Sequence, residues 1–246
     1  YGIFANSTIA MSGNAQTNSY NSNNGPYNAA AATANGDIGT NRNGGNSIAL
    51  SGNVRISGDA VVGPDANVNQ AIVMSGNAVI EGTRSAAAEA RVLDPVTLPS
   101  DVLNSGALSI SGNNTVTLAS GTYVYSSISI TGNSRLNLSS PATVYVNGNV
   151  TISGNGMGTC QNLPPNLKIY VQGSRTVSLS GNGNFYGAIY APQSAINLTG
   201  NGQLFVAVVG NTIADSGNGN IHFDEALTQA AGGGSSNNQL KSWNEV

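Results

Sequence analysis

The chain has 246 residues, of which only 8% are charged, and its formal net charge is -3 with a pI of about 4.9. Eight Lys plus Arg cannot form the basic surface that phosphate binding requires, which excludes nucleic acid as an expected partner. The single cysteine, Cys160, excludes an internal disulfide, and no apolar run reaches the roughly 18 residues that crossing a membrane as a helix requires.

A tripeptide, Ser-Gly-Asn or a close relative, returns along the chain wherever a short apolar run ends. Gly accepts a positive φ, and Asn tolerates the left-handed region best among the other residues, so each tripeptide marks a sharp corner. Several successive glycines lie roughly 16 to 20 residues apart, which indicates one stacked unit. The tripeptides occupy 12–14, 51–53, 57–59, 75–77, 111–113, 131–133, 147–149, 153–155, 180–182, 199–201 and 216–218.

Between corners, apolar residues alternate with Ser, Thr or Asn at the period of a β-strand, as at Ile48 and Leu50 or Ile196 and Leu198. Such strands are too shallow to bury a core with a sequence neighbour alone, but stacked coils join their inward residues into one apolar column. A β-sandwich is the alternative, since it also has many short strands with Gly-rich turns. Equivalent corners favour an all-β, single-domain parallel β-solenoid (β-helix) of roughly 11–12 coils over residues 1–227, with Asn and Ser ladders at the corners.

Several segments interrupt the repeat. Residues 15–46 are rich in Asn and Gly and are expected to be irregular, and residues 157–166 are expected to form a loop. The Gly- and Ser-rich run is typical of a flexible linker over 228–239, and 240–246 is expected to be a docking tail.

Residues 85–104 predict an excursion on the outside of the rod. Ser85 is expected to cap a short helix that runs to Leu93. Asp94-Pro95 and Leu98-Pro99 then impose an extended path.

Four tyrosines recur at about one-coil spacing, and each follows an apolar residue that alternation would send inward. Tyr125, Tyr145, Tyr170 and Tyr190 are therefore expected to line one outer face. Exposed aromatic rings can stack on sugars or on another protein, whereas a ladder of rings can equally serve only to stabilise the sheet.

The open ends of a solenoid expose unpaired strand edges, which invite pairing with another chain. Self-association is expected to involve Tyr1 and Ile3 at one terminus and Leu240, Trp243 and Val246 at the other.

An imidazole meets carboxylates only at His222, Asp224 and Glu225, where a metal or acid–base role is conceivable and a terminal cap is the simpler interpretation. Paired carboxylates do not recur on any face. The sequence therefore predicts no catalytic residues, no metal and no cofactor.

Three runs resemble the C-terminal region of bacterial type IV pilus minor-pilin-like proteins of the PilX-like group: GNFYGAIYAP at 183–192, LTGNG at 198–202 and SGNGNIHFDEAL at 216–227. NGDIGT at 35–40 and SWNEV at 242–246 fit the same resemblance. It implies an exported, surface-associated protein with no known catalytic residues. Such proteins usually begin with a hydrophobic helix, whereas this form opens on the repeat at Tyr1, so assembly through that helix is not expected.

The leading hypothesis is a structural, extracellular β-solenoid that is a subunit or head domain of a surface filament or pilus. Its expected partners are copies of itself or pilus components, because end-to-end contacts that do not close produce a filament. The alternative is an adhesin or carbohydrate-binding module that uses the tyrosines to hold glycans, and a weaker one is a carbohydrate-active enzyme.

Overall fold

The computed structural model describes residues 1–229, apart from the side chains of Cys160 and Gln229. Within these residues the chain is a parallel β-solenoid, as the sequence predicts. The strands before the excursion are β1 (Ile3–Ala5), β2 (Ile9–Met11), β3 (Gln16–Tyr20), β4 (Ile38–Thr40), β5 (Ile48–Leu50), β6 (Arg55–Ile56), β7 (Ala60–Val62), β8 (Ile72–Met74), β9 (Val79–Ile80) and β10 (Arg84–Ala86).

The strands after the excursion include two long ones that bend through the corners of the solenoid. They are β11 (Ala107–Ile110), β12 (Thr115–Leu118), β13 (Gly121–Tyr125), β14 (Ser127–Ile130), β15 (Arg135–Leu138), β16 (Ala142–Val146), β17 (Val150–Ile152), β18 (Met157–Gly158), β19 (Leu167–Val171), β20 (Thr176–Gly181), β21 (Phe185–Gly200), β22 (Leu204–Asp215) and β23 (Ile221–Asp224). The described α-helices are single turns, α1 (Val68–Ala71) and α2 (Ala226–Gln229), and short 3₁₀ helices lie at Ser22–Asn24, Ala29–Ala31, Cys160–Asn162 and Pro164–Asn166. None of these helices is long enough to cross a bilayer.

Each turn of the solenoid places one strand on each of three faces. Face 1 is built on β1, face 2 on β2 and face 3 on β3, and every strand pairs in parallel with the strand one turn away. One level of the stack is called a rung below. In the described residues, face 2 has nine rungs, in the order β11, β14, β17, β20, β21, β22, β2, β5 and β8.

The order of the rungs in space differs from their order in the chain. Strands β11 to β23 form the lower six rungs of face 2, and β1 to β10 continue the same stack above them. At this seam Ile3 pairs with Val208, Ile9 with Ile213 and Thr17 with Ile221, all in parallel. The N-terminal strands are therefore stacked on the last C-terminal rung, and residues 87–104 must return along the whole rod to connect β10 with β11.

The inward residues form the single apolar column that alternation predicts. On face 2 it is built almost entirely of Ile, Leu and Met, whose branched or long side chains fill the narrow interior. Each strand of face 2 supplies two inward residues. The position nearer the corner holds, from bottom to top, Ile110, Ile130, Ile152, Leu179, Leu198, Asp215, Met11, Leu50 and Met74. The column has one charged member, Asp215.

The corner between faces 2 and 3 explains why the glycines recur. A Cβ on Gly52, whose φ is +79°, would lie 2.7 Å from the carbonyl oxygen of Gly13 in the rung below. The neighbouring asparagines form the predicted ladder, in which Asn53 Nδ2 donates to Asn14 Oδ1 over 2.8 Å and Asn14 Nδ2 donates to Asn218 Oδ1 over 2.8 Å. The ladder thus continues across the seam.

The estimate of 11–12 coils is wrong, because two of the tripeptides stand at other corners. Gly58 lies against Gly36 and Asp37, and Gly148 lies against Ser126. The remaining nine tripeptides stack at the one corner, one in each rung. At a spacing of about 4.8 Å, nine rungs make a rod roughly 40 Å long.

Two predicted segments differ in the structure. Residues 85–93 do not form a helix: Arg84–Ala86 pair with β7 as a strand, and the chain continues without regular structure. Residues 15–46 are not wholly irregular, because β3 and β4 lie inside them and occupy ordinary rung positions. Backbone pairing with the stacked rungs overrides local propensity in both places.

Candidate functional site

The outward column of face 1 carries a stack of aromatic rings. Tyr145 pairs with Tyr170, and Tyr170 pairs with Tyr190, so their rings lie one above another. The centroids are 5.1 Å apart for the first pair and 6.0 Å for the second. Phe4 occupies the same column above the seam. We call this column the tyrosine face.

The expectation that four tyrosines line an exposed face is wrong on two counts. Tyr125 pairs with Val146 and belongs to the inward core, because the outward residue of its strand is Val124. Tyr145, Tyr170 and Tyr190 do point outward, but all three are buried. Stacking on a sugar or a partner would require the covering segment to leave.

The cover is the returning segment, residues 87–104, which we call the strap. Val96 of the strap is buried against the tyrosine face, and Leu93, Leu98 and Val102 pack on the same cluster. Tyr190 Oη donates a 2.9 Å hydrogen bond to the carbonyl oxygen of Asp94. The strap confirms the expectation of an extended excursion on the outside of the rod.

The upper part of the strap is held by a residue of the N-terminal rungs. Arg91 N donates to Asn41 Oδ1, and Asn41 Nδ2 donates to the carbonyl oxygen of Arg91, both over 2.8 Å. The Arg91 guanidinium lies 4.8 Å from the ring centroid of Tyr1 and 5.7 Å from that of Phe4, within the range of cation–π attraction. These contacts fasten the strap to the rungs above the seam, and the hydrogen bond from Tyr190 fastens it to a rung below the seam.

His222 lies in a second aromatic cluster, on face 3. Its ring centroid is 3.9 Å from that of Tyr27 and 5.0 Å from that of Phe205. Nδ1 is 2.6 Å from Asn18 Oδ1 and Nε2 is 2.9 Å from Gln203 Oε1. Burial lowers the pKa of His222 from 6.5 to about 4, so the ring is neutral at pH 7.

The two carboxylates near His222 are held by other groups. Asp224 Oδ1 accepts from the N–H groups of Ser22 and Ala226, while burial raises the pKa of Asp224 above its usual range. Burial also pushes the pKa of Glu225 upward, but hydrogen bonds from residues that include Asn35 and Thr33 outweigh it and lower that pKa. Among the described residues no group of three or more His, Cys, Asp or Glu could hold a metal ion.

Asp215 is the charged group that sequence reasoning missed. It is 4% exposed and lies between Leu198 and Met11 in the inward column, and its carboxylate receives one hydrogen bond, from the Gly217 N–H at 3.0 Å. Oδ2 has no partner. The sequence does contain a signal: the position two residues before the corner glycine is Ile, Leu or Met in all eight of the other rungs.

The cavities differ in size and in what lines them. The space beside Asp215 is about 30 Å³, which is enough for a water molecule but not for a sugar ring. A surface depression of about 830 Å³ lies beside Tyr20 and Tyr27, but its carboxylate, Glu225, already accepts hydrogen bonds from Thr33 and Asn35.

The two ends of the rod present unpaired strand edges within the described residues. At the lower end, β11 and β12 pair only with the rung above, and Leu108, Val116 and Leu118 are half-buried. At the upper end, β8 and β9 pair only with the rung below, and Met74 and Ile80 are half-buried.

Tyr1 and Ile3, the N-terminal residues predicted for self-association, do not form these ends. Ile3 is fully buried at the seam, and Tyr1 packs its ring 5.3 Å from that of Phe4. The prediction of a free N-terminal contact is therefore wrong for Ile3, because a partner rung of its own chain covers it. Leu240, Trp243 and Val246 lie outside the described residues, as do the predicted docking tail and nearly all of the predicted linker.

A family model described as a domain of unknown function, DUF7305, matches residues 101–230. The chain belongs to this family. The matched region begins just before β11 and ends just after α2, so it coincides with the rungs below the seam. No curated protein matches the chain. Residues 1–100, which supply the upper rungs and most of the strap, lie outside the match.

Proposed function

We propose that the protein is a structural rod that assembles end to end as a subunit of an extracellular, pilus-type surface filament. The observation that carries the proposal is the pair of open ends, each with parallel edge strands and half-buried apolar side chains. The low charge of the surface and the resemblance of 183–192 and 216–227 to PilX-like proteins support an exterior location.

End-to-end assembly requires one rung to stack on another that is not its neighbour in the chain, and the seam is an example of such stacking. There, one rung stacks on another without being its neighbour in the chain, using parallel strands, inward apolar contacts and the Asn14–Asn218 hydrogen bond. A covalent link between successive rungs is thus unnecessary for close stacking. An end of one copy offers the same kind of surface to the end of another.

The proposal is tested by placing a charge at each end in turn. Met74→Lys puts an ammonium in the upper edge, and Leu108→Lys puts one in the lower edge, where stacking would bury it at high cost. In sedimentation velocity and electron microscopy, we expect filaments from the wild type and monomers from either variant alone. A mixture of the two variants should form 1:1 dimers, because one intact upper end and one intact lower end remain.

Ala10→Lys is the matched control, since Ala10 is exposed on the side of face 2, two rungs inside the upper end. This variant should polymerise as the wild type does. Wild-type protein that stays monomeric at high concentration would contradict the proposal, and so would filaments that persist in both end variants.

A further inference from the structure

The corners at the two ends of the rod have the same phase. Gly76 in the last rung and Gly112 in the first rung both stand two residues after an inward side chain, Met74 and Ile110 respectively. Setting one corner on the other places Ile110 over Met74, and it brings Ser109 over Val73 on the outward side. No residue has to be inserted or removed to continue the column.

The hydrogen-bonding groups at these corners are complementary. At both ends of the ladder, Nδ2 of the upper asparagine donates to Oδ1 of the asparagine below it, as Asn77 does to Asn53 and Asn133 does to Asn113. In the described structure, this leaves Asn77 Oδ1 as an unused acceptor at the upper end and Asn113 Nδ2 as an unused donor at the lower end. The backbone follows the same direction, with Asn77 N donating to Gly52 O and Asn133 N to Gly112 O.

The contact surfaces also match in shape at the corner. A Cβ on Gly76 would lie 2.9 Å from Gly52 O, and one on Gly132 would lie 3.0 Å from Gly112 O, so adjacent corners approach closely inside the rod. At Gly112 itself, the nearest atom to such a Cβ is Asn114 Nδ2 at 4.0 Å, which shows open space where the next corner down would be.

We infer that the partner of each rod end is the opposite end of a second copy, docked in one register: Gly112 over Gly76 and Asn113 over Asn77. This inference rests on the proposed function and specifies the contact. Asn113 Nδ2 of the upper copy donates to Asn77 Oδ1 of the lower copy, and Asn113 N donates to Gly76 O. Face 2 and face 3 continue as unbroken parallel sheets from copy to copy.

The register is tested by engineered disulfides in a Cys160→Ser background. Val73 is 40% exposed and Ser109 is exposed, so Val73→Cys and Ser109→Cys leave the core untouched. In the inferred register their Cα atoms lie about 4.8 Å apart, within disulfide range. Mild oxidation of the double variant should give a ladder of covalent oligomers on a non-reducing gel.

The matched control pairs Val73→Cys with Ala107→Cys, which is exposed on the same strand and displaced by two residues. Its Cα separation of roughly 8 Å exceeds the reach of a disulfide, so the ladder should be lost. Equal ladders from both pairs, or covalent dimers from Val73→Cys alone, would overturn the register. Filaments that give no covalent ladder with the Val73→Cys and Ser109→Cys pair would contradict the register but not the proposed function. Wild-type protein that sediments as a monomer would contradict both the register and the proposed function.

Discussion

Asp215 places a carboxylate at a position that is apolar in all eight of the other rungs of face 2. One hydrogen bond from Gly217 N offsets only part of the desolvation, and burial raises the pKa of Asp215 from 3.8 to about 6. The folded protein therefore binds a proton more tightly than the unfolded chain. The stabilisation from this proton is fully present below about pH 4 and is lost as the pH rises through about 6.

Asp215→Asn should remove this dependence. The amide keeps an oxygen for the Gly217 N–H and carries no charge, so the variant should gain up to about 3 kcal/mol over the wild type at pH 7 and almost nothing at pH 4. Urea unfolding at both pH values measures the difference. Asp65→Asn, at an exposed turn, changes the charge equally and should have little effect. A constant destabilisation of Asp215→Asn at both pH values would contradict the argument.

His222 has the opposite dependence over an overlapping pH range. Its pKa falls from 6.5 to about 4 on folding, so the folded protein resists protonation and loses stability as the pH drops through that interval. The cost is about 3 kcal/mol at about 1.4 kcal/mol per pKa unit. Since the chain has one histidine, the NMR titration of its ring reports this group alone.

We expect the His222 ring to titrate near pH 4 in the folded protein and near 6.5 in urea. His222→Gln should lose the decline in stability below pH 6.5, although its stability at pH 7 falls because the ring no longer packs on Tyr27 and Phe205. A folded-state titration near 6.5 would show that the ring is accessible to water.

At the scale of strands, the sequence correctly predicts which side chains point inward wherever one side of a strand is plainly polar. Ile48 and Leu50 point inward as alternation requires. Tyr123-Val124-Tyr125 has apolar residues on both sides of the strand, so alternation alone does not determine which side faces inward, and the predicted outward position of Tyr125 is wrong. The short helix predicted from Ser85 failed because strand pairing with β7 satisfies the backbone of Arg84–Ala86.

The tyrosine face shows a second limit of predicting burial from one strand at a time. The spacing of Tyr145, Tyr170 and Tyr190 correctly predicted a common column on the outside of the rod. Its cover, however, comes from residues about 50 to 100 positions earlier in the chain, and local periodicity carries no information about such a contact. The apolar residues of the strap, including Val96 and Leu98, were the one available sign that this segment packs on something.

At the scale of the molecule, the repeat predicted the stack but not the order of its rungs. Equivalent corners can stack in any order, since Gly13 fits over Gly217 by the same contacts that place Gly52 over Gly13. The order is set by which edges find a partner, and β22 and β23 would be an open edge without residues 1–20. The strap is the consequence, because the chain must return from the top of the rod to the bottom.

This topology predicts that the strap can be cut without separating the molecule. A protease site inserted between Ser100 and Asp101, both exposed, divides the chain near the start of the family region. The seam buries Ile9, Met11 and Ile221 almost completely and is paired on all three faces. We therefore expect both fragments to elute together in size exclusion at micromolar concentration and to part only in denaturant.

The same insertion combined with Ile9→Asp gives the informative comparison. A carboxylate at Ile9 is forced between Ile213 and Ile48, away from water and close to the like charge of Asp215, so the seam should be the weakest contact in that variant. The fragments should separate after cleavage, whereas the uncut variant stays in one piece through its intact strap. Separation of the nicked protein with Ile9 in place would mean that the strap, and not the stacking of rungs, holds the two parts of the rod together.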